Sequence, residues 1–183
     1  MTNDALPWPG YRAIPDRVNI AREVLDRQIA AGMGGRVAFV MDEGTISFAE
    51  VADRSNRLAR RLAGLGVGRG VKVLVRLPNS PEFVYTFLAL VRLGAIPVLQ
   101  NSLLAAEEVE YVLGHSEAAA AITFDDIAAP LRGLKDRLPL GLIVARGKQA
   151  GEHGFEDIIA GGGGAPLEPA DTGANEPAFF VYT

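Results

Sequence analysis

The chain has 183 residues, 49% of them apolar and 22% charged, which suits one globular domain or large subdomain and excludes a disordered chain. Its formal net charge of −4 argues against nucleic acid, whose binders usually carry a basic face. With no cysteine, disulfides, thiolate metal sites and cysteine nucleophiles are excluded, which is compatible with a reducing cytoplasm.

Residues 1–17 read as an irregular arm, because Pro7, Pro9, Gly10 and Pro15 prevent regular structure. Trp8 and Tyr11 are expected to anchor it to the body or to another subunit. The arm has no apolar core of the length a secretory signal needs. Residues 18–31 predict an amphipathic helix with Ile20, Val24 and Ile29 on its apolar side, ended by Gly32. Residues 37–41 and 45–48 predict a hairpin around Asp42, Glu43 and Gly44, with the glycine at positive φ. Ser47 and Glu50 have capping-box spacing, and the helix they start runs to about Gly64. Val51, Leu58, Leu62 and Leu65 share one face of it. Asp53 and Arg54, Arg57, Arg60 and Arg61 lie mainly on the other, read as solvated. Glu50 to Arg54 and Asp53 to Arg57 are favourable i,i+4 pairs.

Residues 71–77 alternate Val with Lys or Arg and predict a strand ended by Pro78. Ser80, Pro81 and Glu82 form a helix start: a cap, a proline at the first position and an acid at the positive dipole end. The helix is apolar on more than one face, through Phe83, Val84, Phe87, Leu88, Leu90 and Val91, so both sides should be covered; Gly94 stops it. The apolar region 83–99 is broken by Arg92, Gly94 and Pro97 and is no membrane span. Residues 95–99 predict a strand, 105–113 an acid-led helix closed by Gly114, and 118–124 a strand. Asp125 or Asp126 would cap a helix reaching about Arg137, and 141–145 is a further strand. Residues 146–176 show little pattern beyond a turn of helix at 155–159, and Gly161 to Gly164 with Pro166 and Pro169 read as a flexible surface linker. The final run, PAFFVYT, has buried-strand composition. Strand–helix alternation from residue 71 onward predicts an α/β fold: a mostly parallel sheet with helices on both faces, preceded by a short hairpin.

Several motifs have plain readings. The glycines between Gly64 and Gly70 close a helix and precede a strand, the reverse of a dinucleotide loop. Glu107, Glu108 and Glu110 suit a helix dipole and a solvated face rather than a metal. His115 and His153 lack ligand spacing; His115 is assigned a contact with a helix C-terminus.

Three stretches together resemble the AMP-forming adenylating enzymes. Thr45-Ile46-Ser47-Phe48-Ala49-Glu50-Val51 is similar to the family's "(T/S)-aromatic-x-E-L" segment. Leu90 through Val98, followed by Asn101, is similar to its "L-x-x-x-G-A-x-x-x-P" run in the G-A-I-P-V form. Pro177 to Thr183 is similar to the strand that leads into the family's phosphate-binding loop. The opening helix resembles those of benzoate- and aminobenzoate-type CoA ligases, with an N-x-A-x-x-x-L-D-R pattern.

The resemblance implies residues 18–183 as the N-terminal α/β part of an adenylation domain, truncated where the phosphate loop begins. The whole enzyme would join a small, benzoate-like carboxylic acid to CoA through an acyl-adenylate, using ATP and Mg²⁺, in the cytoplasm. Only Thr183 carries over as an ATP-binding residue. No catalytic or metal residue is expected in the chain, nor a bound cofactor, and the isolated chain is expected to be inactive. The surface facing the rest of its own enzyme should be apolar enough to promote association, including homo-oligomers. Two alternatives stand: a stand-alone, non-catalytic α/β binding domain, and an adenylation domain loading a carrier protein.

Overall fold

The computed structural model describes residues 14–42, 44–161 and 164–182. The expected arm therefore lies almost wholly outside the described residues, as do Trp8, Tyr11 and Glu43.

The first helix passes through a π-turn, Arg22–Asp26, into α1, Arg27–Ala30. Its buried side is Ala21 and Leu25, whereas Val24 is half exposed and Ile29 lies near the surface. The expected Ile20–Val24–Ile29 face is thus rotated. Buried Asn19 accepts the Ala21 N–H at 3.0 Å and turns Ala21 and Leu25 inward.

Strands β1 (Val37–Met41) and β2 (Gly44–Ser47) form a separate antiparallel hairpin, with Gly44 at φ 141°. Helix α2, Phe48–Gly64, follows directly, and the Ser47 hydroxyl accepts the Glu50 N–H at 3.2 Å. The i,i+4 pairs form as expected, Arg54–Glu50 and Arg57–Asp53 each at 2.8 Å.

The main sheet is parallel throughout. Its strands are β3 (Lys72–Arg76), β4 (Ile96–Leu99), β5 (Ala120–Phe124), β6 (Gly141–Ala145), β7 (His153–Gly154) and β8 (Phe180–Val181), in the order β7-β6-β5-β3-β4-β8. Period-two alternation assigns neighbours along β3 to opposite faces. Val73 and Val75 join the core under α2, while Leu74 joins the core of α4, Ala106–Ser116. Helix α3 (Pro81–Arg92) is capped by the Ser80 hydroxyl and buried between the sheet and α2, as its apolar composition requires.

Three boundaries differ from expectation. Helix α4 runs through Gly114 to Ser116 and ends at Glu117, which takes a left-handed conformation (φ 54°). A Cβ at Gly114 would lie 2.8 Å from Arg137 Nη2, the tip of a part-exposed side chain that could move aside. The helix expected from Asp125 to Arg137 is broken into a 3₁₀ turn (Asp125–Ile127), α5 (Ala129–Gly133) and a second 3₁₀ turn (Lys135–Arg137). Neither aspartate caps it; Asp125 instead binds Arg132.

The third difference is larger. The turn of helix expected at 155–159 forms as α6 (Phe155–Ala160), but β7 was not expected, and residues 164–176 are a strap bonded across the molecule, not a flexible linker. Helix α6 also covers part of the arginine face of α2, with Arg57 Nη1 reaching the Ile159 carbonyl at 3.5 Å.

Candidate functional site

In a parallel sheet the carboxyl ends of the strands form one rim, the usual ligand side of open α/β folds. Here β3 connects to β4 on one side and β5 to β6 on the other, so the winding reverses between β3 and β5. Two polar groupings occupy this rim.

The first crosses the strands in register. Thr123 pairs with Arg76; Gln100 follows Leu99, and Tyr182 follows Val181, the partner of Leu99. Arg76 and Gln100 are both 4% exposed. Arg76 donates to the carbonyls of Asn101 (2.9 Å) and Leu104 (3.0 Å), which ties the β4–α4 loop to the sheet. Among the described residues no carboxylate pairs with it, and burial lowers its pKa. Ala105, at the helix cap, has no side-chain oxygen; Glu108 folds back to accept its N–H at 2.8 Å, half of a capping box.

Tyr182 closes this row. Its N–H donates to the Leu99 carbonyl at 3.2 Å, its ring packs on the α4-side core, and its hydroxyl lies 2.6 Å from His115 Nδ1. His115, expected just past the helix, lies inside the last turn of α4 and stacks on Tyr111, and its ring nitrogen serves Tyr182. Thr183 lies outside the described residues.

The second grouping lies beyond β5 and β6. Arg132 binds Glu152 through Nε (2.6 Å) and Nη2 (3.1 Å), and Asp125 through Nη2 (2.6 Å). Those bonds raise the Arg132 pKa and hold the Glu152 carboxyl below its usual range. Arg146 donates to both oxygens of Glu82, at 3.1 and 3.3 Å, and lies 4.3 Å over the Phe124 ring. An open cleft of about 860 Å³ runs from there between the hairpin and the start of α3, lined by Phe39, Ile46, Ser80, Phe83, Tyr85 and Arg146. Burial raises the pKa of the Tyr85 phenol on its wall.

Among the described residues no group of three or more His, Asp or Glu could hold a metal. Of the three α4 glutamates, Glu108 caps its own helix and Glu110 pairs with Arg137. The rim arginines bind loops and carboxylates of the chain itself, so this geometry anchors and orients. Arg76 and Gln100 were not singled out from sequence. Their signal is a polar residue ending an otherwise apolar strand, Val-Leu-Val-Arg and Val-Leu-Gln.

The profile of the AMP-binding enzyme family matches residues 25–183. The benzoate–CoA ligase of Thauera aromatica is 32% identical over 174 residues, covering 93% of this chain and 32% of that protein. Triostin synthetase I of Streptomyces triostinicus is 32% identical over 189 residues, covering 100% of this chain and 35% of its own. The crystal structure of the anthranilate CoA ligase AuaEII in complex with anthranoyl-AMP superposes with a TM-score of 0.78 at 29% identity, covering 87% of this chain and 31% of that one. The chain thus spans about a third of the length of the relatives it matches. No helix among the described residues is long and apolar enough to cross a membrane. With the family profile extending across nearly all of the sheet and its helices, the chain belongs to the AMP-binding enzyme family.

Proposed function

We propose that this chain is the N-terminal part of an ATP-dependent, AMP-forming ligase that joins an aryl carboxylic acid to CoA in the cytoplasm. The observation that carries the reading is the likeness, through 87% of the chain, to an anthranilate CoA ligase structure holding anthranoyl-AMP. The benzoate–CoA ligase relative supports an aromatic acid.

In this reading the carboxylate attacks the α-phosphate of ATP, pyrophosphate leaves, and the CoA thiol displaces AMP from the acyl-adenylate. Thr183 is assigned the role of an ATP-binding residue. The described residues would not hold Mg²⁺ by themselves, since they contain no metal-ligating cluster, and no step is assigned through it. Their part is to build the sheet on which the loop after β8 stands. The 183-residue chain alone is accordingly expected to make no acyl-adenylate.

The test is ATP–pyrophosphate exchange by the full-length protein with benzoate, 2-aminobenzoate and acetate, followed by CoA-dependent release of AMP. Exchange driven by the aromatic acids and completed by CoA supports the reading; no exchange with any acid overturns it. A second reading is transfer to a carrier protein instead of CoA. Exchange without CoA-dependent turnover would favour it. The family match does not favour a non-catalytic binding domain.

A further inference from the structure

Nine polar or charged residues are buried among the described residues, and three of them, from separate elements, converge on one irregular segment. Asn19 donates to the carbonyls of Val91 (2.8 Å) and Ala170 (3.1 Å). Asn56, on α2, accepts the Leu167 N–H at 2.7 Å. Arg92, at the end of α3, donates through Nη1 to the Leu167 carbonyl at 2.7 Å and through Nη2 to Asp26. The Arg92 carbonyl takes the Ala170 N–H at 2.7 Å. Burying such side chains is costly unless they are bonded. Here the bonds fix the path of residues 167–170.

The strap is held again further along. Val18 N–H donates to the Thr172 carbonyl at 2.9 Å, and the Thr172 hydroxyl donates to the Val18 carbonyl. Arg17 and Gly173 form an antiparallel bridge, and the Ala174 N–H donates to Asp16 at 2.9 Å. Gly94, at φ 68°, lets the strap lie close: a Cβ there would be 3.0 Å from the Ala170 Cβ.

Strand β8, which the strap feeds, has little hold of its own. Among the described residues it is two residues long and pairs only with β4. Its flanks are pinned, Phe179 edge-to-face on Phe87 at 5.6 Å and Tyr182 on His115. Both residues of β8 are exposed, and register is weakly specified where no face is buried, so the strap upstream helps to set it.

We infer that Asn19, Asn56 and Arg92 are positioning residues for the nucleotide step. They fix the strap, and through it the register of β8 and the direction in which the chain leaves Tyr182 toward the phosphate loop. This inference rests on the proposed ligase reading for its functional half; its structural half stands alone.

The experiment uses the full-length protein with Arg92→Lys and Asn19→Ala. Arg92→Lys keeps a charge for Asp26 but lacks the fork that reaches Leu167. Hydrogen exchange is followed in peptides covering residues 164–182 and in those covering β5 and β6. Faster exchange in the first set with the second unchanged is expected. Uniform loss would mean a merely structural role, and no change would mean no role; either overturns the inference. In the exchange assay, displacement of the loop by a fraction of an ångström should raise KM for ATP about tenfold, with KM for the acid within about twofold. Equal changes in both overturn the functional half. If the unmutated protein supports no exchange with any acid, the ligase reading fails, while the hydrogen-exchange result still decides whether the strap sets β8. Should Arg92→Lys fail to fold, Asn56→Ala, which removes one strap bond, carries the same readouts.

Discussion

The hairpin β1–β2 and the strap 164–176 invert the usual relation between regularity and anchorage. The hairpin has an antiparallel ladder, broken once by a register shift between Val37 and Phe39, yet Val37, Phe39 and Val40 on it are exposed, Val40 to 80%. The strap has almost no secondary structure, yet buried side chains from three separate elements bond to it. Backbone hydrogen bonds within an element say nothing about how firmly it is joined to the rest. That is decided by which groups are dehydrated at the join.

The comparison can be broken most sharply at Arg92. Arg92→Met leaves the partly exposed Asp26 carboxylate and the Leu167 carbonyl without their donor and should cost about 1.5–3 kcal/mol in denaturant unfolding, the range for lost charged hydrogen bonds. Val40→Thr on the hairpin should stay within about 0.5 kcal/mol, as an exposed change away from any special contact. Equal losses would erase the contrast. Next in size is a glycine pair. Gly70 (φ 77°) has open space where a Cβ would go, so Gly70→Ala should cost only the conformational penalty, about 1 kcal/mol. Gly94→Ala adds the clash with Ala170 and should cost more and loosen the strap, read by proteolysis near residue 164.

A third test uses pH. The Arg132 bonds depress the folded-state pKa of Glu152 below its usual 4.5. A depressed carboxylate contributes stability that is present above the unfolded value and is lost as pH falls through the folded one. Stability should therefore decline as pH drops below about 4.5, and Glu152→Gln should flatten part of that decline. An unchanged slope would remove Glu152 from the acid response. The smallest effect is expected from Tyr182→Phe, which removes the hydroxyl facing His115 and should cost about 0.5–1 kcal/mol, with faster exchange confined to β8.

Much of the fold was legible because its signals are local. The Ser47 and Ser80 caps, the proline at the start of α3 and the glycine after it each act within one turn, and all stand where expected. What was missed depends on partners distant in sequence. Nothing local in Gly-Ala-Pro-Leu-Glu-Pro says that Asn56 and Arg92 will grip it. The α1 face was misread for the same reason, because Asn19 turns Ala21 and Leu25 inward. Arg92 did carry a signal, a lone charge between Val91 and Leu93 in an apolar helix. The rim residues Arg76 and Gln100 become meaningful only once strand order sets them side by side, which no periodicity reveals.

The bond between Arg17 and Asp171 joins residues 154 positions apart. During synthesis the opening helix therefore leaves the ribosome long before its clasp exists. Asn19 can meet the Val91 carbonyl earlier, but its bond to Ala170 waits until most of this sheet has been made. Contacts this distant in sequence slow folding, since the chain closes its largest loop before the bonds repay it. A protein halted before residue 164 would keep the Asn19–Val91 and Arg92–Asp26 bonds but would lack both β8 and the strap that fastens the first helix a second time.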